Sequence, residues 1–175
     1  LWPAIRAAST AISHIHVSDR GRFGFSHIDA EEQQVEALGY VVINRVLGTV
    51  LNDALQALDN VEVLCPARIS HVRYAADSVI VSADSADDGV RQLECRLLVA
   101  ADGARSGVRE MLGIGAQHTD YGQHALIGNL QPGKPHRNTA YERFTSDGPV
   151  AVLPTADNRV TFVWTLQPER ADSML

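Results

Sequence analysis

The chain lacks the marks of several large protein classes. It holds two cysteines in 175 residues, Cys65 and Cys95, and neither stands in a Cys-x-x-Cys or metal-ligand spacing. Lying in what read as separate strands, they are expected as a reduced pair buried in the core rather than as a disulfide framework. No apolar run approaches the length of a bilayer crossing, since stretches such as Leu97–Ala101 are far too short. The amino end, Leu1-Trp2-Pro3-Ala4-Ile5-Arg6, has neither the basic start nor the apolar run of a signal peptide. It also has no initiating Met, so the natural start is expected to lie upstream. Lys and Arg form no cluster and the net charge is −6, which excludes the basic face a nucleic-acid binder needs. A Gly-x-Ser-x-Gly elbow is missing, which argues against a hydrolase built on Ser106. Gly113-Ile114-Gly115 begins like a dinucleotide-binding loop, but it follows a predicted helix and has no third glycine in place.

What remains is an ordinary globular composition, with 45% apolar and 21% charged residues, enough for a core and against disorder. The length fits one domain, or one and a half of a larger protein. His14–Ser18 alternates as a half-buried strand does, Asp19-Arg20-Gly21 supplies a turn, and Phe23–Ile28 reads as the hairpin partner. Apolar residues at 46, 47, 50, 51, 54, 55 and 58 follow helical spacing and predict an amphipathic helix over 45–58. Strands are expected at Val61–Leu64, Ala67–Tyr74 and Ser78–Ala83, with Asp84–Gly89 as an acidic hairpin end. The last third reads as antiparallel sheet: His124–Leu130, Ala140–Phe144, Val150–Leu153 and Val160–Leu166, with turns at Pro132-Gly133 and Asp157-Asn158. The pattern predicts an α+β fold in which two outer segments form one mixed or antiparallel sheet around an inserted α/β element.

The stretch richest in chemistry runs from Cys95 to Arg109. It predicts a buried strand over Leu93–Ala101, a tight turn at Asp102-Gly103, and a short helix from about Ser106 to Leu112, closed by Gly113. Ligands of open α/β sheets bind beyond the carboxyl ends of strands, where such turns sit. Gly103 lets backbone approach a ligand closely, and Ser106 can cap the helix. Asp102 cannot attract phosphate, so its expected work is to accept hydrogen bonds from backbone N–H groups or a ribose hydroxyl. Arg109 is either a cofactor contact or an exposed helix residue with a local salt bridge.

This string resembles the Asp-Gly motif of the para-hydroxybenzoate hydroxylase class of flavoproteins: apolar strand, Ala-Asp-Gly, two residues, Ser, one residue, Val-Arg. Asp102, Gly103, Ser106, Val108 and Arg109 all fall in place. His16–Gly21 with Gly24-Phe25, and Tyr141–Pro154, are similar to the ubiquinone-pathway hydroxylases of that class, so the resemblance runs from about Ile12 to Trp164. It implies an FAD site served by Asp102, Gly103, Ser106 and Arg109. Where family members often carry Glu or Gln near the flavin ring this chain has Ile43, and Asn44 and Arg45 are the substitutes. It further implies NAD(P)H or another reductant, a flavin C4a-hydroperoxide, and oxygen transfer to a polyprenyl phenol, with Gly148 and Pro149 bordering the substrate and either Tyr141 or Phe144 facing it. The implied layout is a first part of the substrate-domain sheet in 1–43, a partial FAD-binding segment in 44–115, and more substrate-domain sheet in 116–175. The class's opening glycine loop and its later Gly-Asp segment are absent, so the chain reads as an internal piece, inactive alone and prone to self-association. The resemblance further implies a cytoplasmic protein, with peripheral attachment to the inner membrane and membership of a ubiquinone-biosynthesis complex as open extensions. Two rival readings stand beside it: a non-catalytic binding or assembly module, and a hydroxylase of another aromatic substrate. His14 and His16 share a strand face while His118 and His124 lie far along the chain. With no third ligand in register they read as a surface pair, and no metal is expected.

Overall fold

The computed structural model describes residues 1–86 and 89–174. Its elements in chain order are α1 (Trp2–Ala7), β1 (Ser9–Ile12), β2 (His14–Asp19), β3 (Phe25–Asp29), β4 (Gly39–Val42), α2 (Asn44–Gln56), β5 (Ala67–Tyr74), β6 (Val79–Ser85), β7 (Gly89–Cys95), α3 (Gly107–Met111), β8 (His124–Leu130), β9 (Thr139–Phe144), β10 (Val150–Thr155), β11 (Arg159–Leu166) and α4 (Pro168–Asp172). The fold is α+β. Contacts divide the chain into two compact units, 1–58 with 120–175, and 59–119. Helix α2 therefore clusters with the outer segments, whereas the sequence alone grouped it with the segment that follows.

The larger unit is built on a six-stranded sheet in the order β3-β2-β9-β10-β11-β8. All its neighbours are antiparallel except β2 and β9, which run parallel, with His16 opposite Tyr141. The β2–β3 hairpin pairs His14 with Asp29 and His16 with His27. Its connection carries Gly21 and Gly24 at φ +83° and +112°, a backbone region that strongly favours glycine. The β10–β11 turn places Asp157 and Asn158 at φ 58° and 52°, the left-handed conformation that short Asp and Asn side chains tolerate best. Strands β1 and β4 pair separately, Ser9 with Val42 through Ile12 with Gly39, and both pack on β10. Trp2 of α1 meets Tyr40 of β4 edge-on, with ring centroids 5.0 Å apart.

The core of this unit holds Ala140, Val160, Pro154 and Leu166, the last with no exposed surface. Burying a leucine side chain stabilises by about 1.5–3 kcal/mol. Phe162 lies under Gly128, its partner across β11 and β8, in the space a larger side chain would need.

The smaller unit is the antiparallel sheet β5-β6-β7 with α3 packed on β5. Among the described residues Val72, Val81, Ala83 and Val108 are its buried apolar side chains, and Ser106 is buried beside them. Four expectations are corrected here. The buried strand over 93–101 ends at Cys95, and Leu97 and Val99 stand 76% and 73% exposed. Val61–Leu64 is not a strand either, with Val61 and Val63 exposed. Among the described residues no strand lies beside either stretch to accept its backbone hydrogen bonds, and an apolar run without a ladder partner does not become a strand. The cysteines are both free, but Cys65 is exposed and Cys95 half-buried, so they are not a core pair. Their neighbours explain it, since Cys65 follows the unladdered run and Cys95 ends β7. The acidic loop over 84–89 is shorter than expected, because β6 reaches Ser85 and β7 begins at Gly89, and its tip at 87–88 lies outside the described residues.

Candidate functional site

The Asp-Gly turn is a closed hydrogen-bond network. The Ser106 hydroxyl donates to Asp102 Oδ1 at 2.5 Å, and the Val108 N–H donates to Asp102 Oδ2 at 3.2 Å. Ser106 Oγ in turn accepts the Arg109 N–H at 3.0 Å, which makes Ser106 the cap of α3. The hydrogen bond from Ser106, then that from Val108, holds the Asp102 carboxyl below its usual range against a smaller opposing effect of desolvation. At the far end of α3 the Gly113 N–H reaches Glu110 O and the Ile114 N–H reaches Arg109 O, with Gly113 at φ +65°. That is the glycine-terminated helix end the sequence predicts.

Arg109 is half-buried, and its guanidinium donates to Ala104 O at 2.9 Å, clamping the turn from outside. No salt bridge of Arg109 is present among the described residues. Gly103 has φ +86°, and a Cβ built there meets nothing within 4 Å. Backbone in this turn is therefore open to a ligand while Asp102 and Ser106 hold its shape. That arrangement fits the edge of a dinucleotide cofactor, which needs closely approachable backbone and a rigid turn.

In the larger unit, Asn44 is the first residue of α2 and Ile43 caps it with extended backbone, 47% exposed. Arg45 is exposed, and its carbonyl accepts the Thr49 hydroxyl at 3.0 Å. Asn44 lines a groove of about 520 Å³ together with Val41, Ile127, Asn129, Leu153 and Thr161. The register explains the company: Thr161 lies opposite both Asn129 and Leu153, so these side chains share one sheet face.

Gly148 and Pro149 sit before the first residue of β10, whereas the groove surrounds its last residues. The two sets lie at opposite ends of a six-residue strand, roughly 17 Å along its length. Gly148 has φ +133°, and any Cβ there would run into Thr165 O. Its loop is tied by Thr145 Oγ1 donating to Gly148 O at 2.7 Å and by Thr165 N–H donating to Pro149 O at 3.0 Å.

Between Tyr141 and Phe144 the alternation of β9 separates the faces. Tyr141 pairs with Val152 and turns to the face opposite the groove, where it lies beside His16, ring centroids 5.7 Å apart. Phe144 falls on the groove face by the same alternation. His14 bonds Asp29 at 2.6 Å and His16 meets His27 at 2.5 Å, a ladder across β2 and β3 on the Tyr141 face.

A family model described as FAD binding domain matches residues 4–174. The chain belongs to that family. This FAD-binding domain is 38% identical over 172 residues to ubiquinone hydroxylase UbiL of Rhodospirillum rubrum, covering 98% of the chain and 38% of that protein. It is 33% identical over 156 residues to 3-demethoxyubiquinol 3-hydroxylase of Escherichia coli, covering 81% of the chain and 35% of the relative. The chain thus spans less than two fifths of the length of these curated relatives. Among solved structures it superimposes on PqsL, a probable FAD-dependent monooxygenase of Pseudomonas aeruginosa, with a TM-score of 0.78 at 22% identity, over 99% of the chain and 47% of that structure.

Of the residues singled out by sequence, the FAD-binding domain brings Asp102, Gly103, Ser106 and Arg109 into one turn. Asn44 and Arg45 stand together at the start of α2, and Gly148 and Pro149 in a separate loop. Asn129 and Thr161 were missed. Asn129 stands in an alternating strand, where a lone amide gives no signal until the register shows which face it shares. Among the described residues no group of three or more His, Cys, Asp and Glu side chains is arranged to hold a metal, and no helix is long and apolar enough to cross a membrane.

Proposed function

We propose that this chain supplies the Asp-Gly turn and the substrate-facing sheet of a flavin-dependent aromatic hydroxylase acting on a polyprenyl-phenol precursor of ubiquinone. The observation that carries the reading is the Asp102–Ser106–Arg109 network around an open Gly103, in a chain whose curated relatives bear the names of ubiquinone hydroxylases. FAD, reduced by NAD(P)H or another donor, supplies the oxygen-activating chemistry when bound. The chain's own residues do simpler work. Gly103 admits the cofactor's edge, Asp102 and Ser106 keep the turn rigid, and Arg109 braces it through Ala104. Asn44 and Arg45 offer polar groups at the start of α2, in place of the Glu or Gln that Ile43 replaces. Gly148 and Pro149 shape the loop at the head of β10.

The exposed Leu97 and Val99 suit burial against further chain, a second copy or a partner of a biosynthetic complex. Attachment at a membrane surface, where a polyprenyl substrate resides, belongs to the same reading.

The test is an FAD titration, followed by absorbance and fluorescence, of this chain and of a polypeptide extended to the length of its relatives. FAD binding by the longer polypeptide, with oxygen and NAD(P)H consumed when a prenylated phenol is added, is the expected result. Tight binding by the 175-residue chain alone would show that the segments holding the cofactor are wrongly assigned. Binding by neither would remove the hydroxylase reading and leave the non-catalytic assembly module in its place.

A further inference from the structure

The groove beside α2 is apolar over most of its lining, with Val41, Val42, Ile43, Ile127 and Leu153, and Ile127 is 69% exposed within it. Asn44 and Thr155 also line it, and two further polar side chains there are paired with each other. Thr161 Oγ1 donates to Asn129 Oδ1 at 2.6 Å, directly across the β11–β8 pair. The Thr161 proton is thereby committed, and the Asn129 amide nitrogen, which has no partner recorded among the described residues, keeps two N–H groups to donate. Asp157 and Arg159, one of each sign, stand at the turn end of the groove, so it presents no net charge. An aromatic carboxylate would find no excess of positive charge there. A neutral ring bearing one oxygen and an apolar tail matches both the apolar lining and the oriented donor.

We infer that Asn129, held in place by Thr161, recognises the ring hydroxyl of a neutral phenol seated in this groove, and so sets specificity for phenols over unsubstituted rings. Asn129 touches the ligand, and Thr161 positions it. The inference rests on the hydroxylase reading for its substrate class, but its test needs neither flavin nor turnover.

The measurement is the binding of 2-prenylphenol and of prenylbenzene to the 175-residue chain, followed by the backbone amide resonances of the groove residues in NMR, with the Asn129 side-chain amide as a further reporter in the unsubstituted chain. One hydrogen bond in a partly open site should favour the phenol by about three- to tenfold. Asn129→Ala should bring the two affinities together while the prenylbenzene affinity holds. Thr161→Val should shrink the preference, because the amide loses its anchor. Equal affinities in the wild-type chain, a preference that survives Asn129→Ala, or no binding of either probe would each overturn the inference. None of these outcomes decides the FAD titration above, so the two readings fail separately.

Discussion

Ser106 is bonded to Asp102 and to Arg109 at once: its hydroxyl donates to the Asp102 carboxylate while its oxygen accepts the Arg109 N–H. One small side chain, only 5% exposed, therefore joins the Asp-Gly turn to the helix that follows. Removing it both uncaps α3 and takes a partner from Asp102. Ser106→Ala should cost about 1 kcal/mol of stability, as loss of a cap typically does, with faster hydrogen exchange at the Arg109 and Val108 amides. Unchanged exchange at both amides would show that the network does not hold the turn.

Asp102→Asn tests the carboxylate itself. The amide keeps one oxygen for Ser106 or Val108 but not two. The expected outcome is selective loss of protection at the Val108 amide with β5, β6 and β7 intact, and weaker FAD binding in the flavin-competent polypeptide. Full retention of flavin affinity would separate the turn from the cofactor.

Acid should loosen the same turn. The Asp102 carboxyl lies below its usual value, chiefly through Ser106, and that of Asp29 is lowered by the Glu31 N–H and then by His14. A depressed carboxyl contributes stability that is fully present above the unfolded value, near 3.8, and is lost as pH falls through the folded one. The contribution should therefore be constant from neutrality to about pH 5 and decline below pH 4. Urea unfolding at several pH values measures it, and Asp102→Asn should flatten part of the decline.

Gly148→Ala should be among the most damaging single substitutions in the larger unit. It forces a side chain into a left-handed backbone worth about 1–3 kcal/mol of strain, and drives its Cβ into Thr165 O. Gly128→Ala meets Phe162 Cε1 at 2.5 Å, a side chain that can shift, so it should cost about 1–3 kcal/mol, toward the lower end. Thermal melts of the two variants should rank in that order.

Much of this protein was determined by local sequence. The 3.6-residue spacing of apolar positions announced α2, and its observed span of 44–56 differs from the expected one only at the ends. Ser106 and Gly113 bounded α3 because caps are short-range hydrogen-bond chemistry, decided within a few residues. Strands β5 and β8 were legible to the residue, from alternation between turn signals.

Only the tertiary structure decided the rest. Alternation assigns residues to two faces but not to the covered one, so Tyr141 and Phe144 stayed ambiguous until β9 was seen between β2 and β10. The parallel pairing of β2 with β9 joins segments more than a hundred residues apart and leaves no local trace. The same reason hid Asn129 and Thr161, neighbours only through the β8–β11 ladder. Leu97–Ala101 shows the converse. Its composition is that of a buried strand, but a strand is a relation between two stretches of backbone, and no neighbouring strand accompanies it among the described residues.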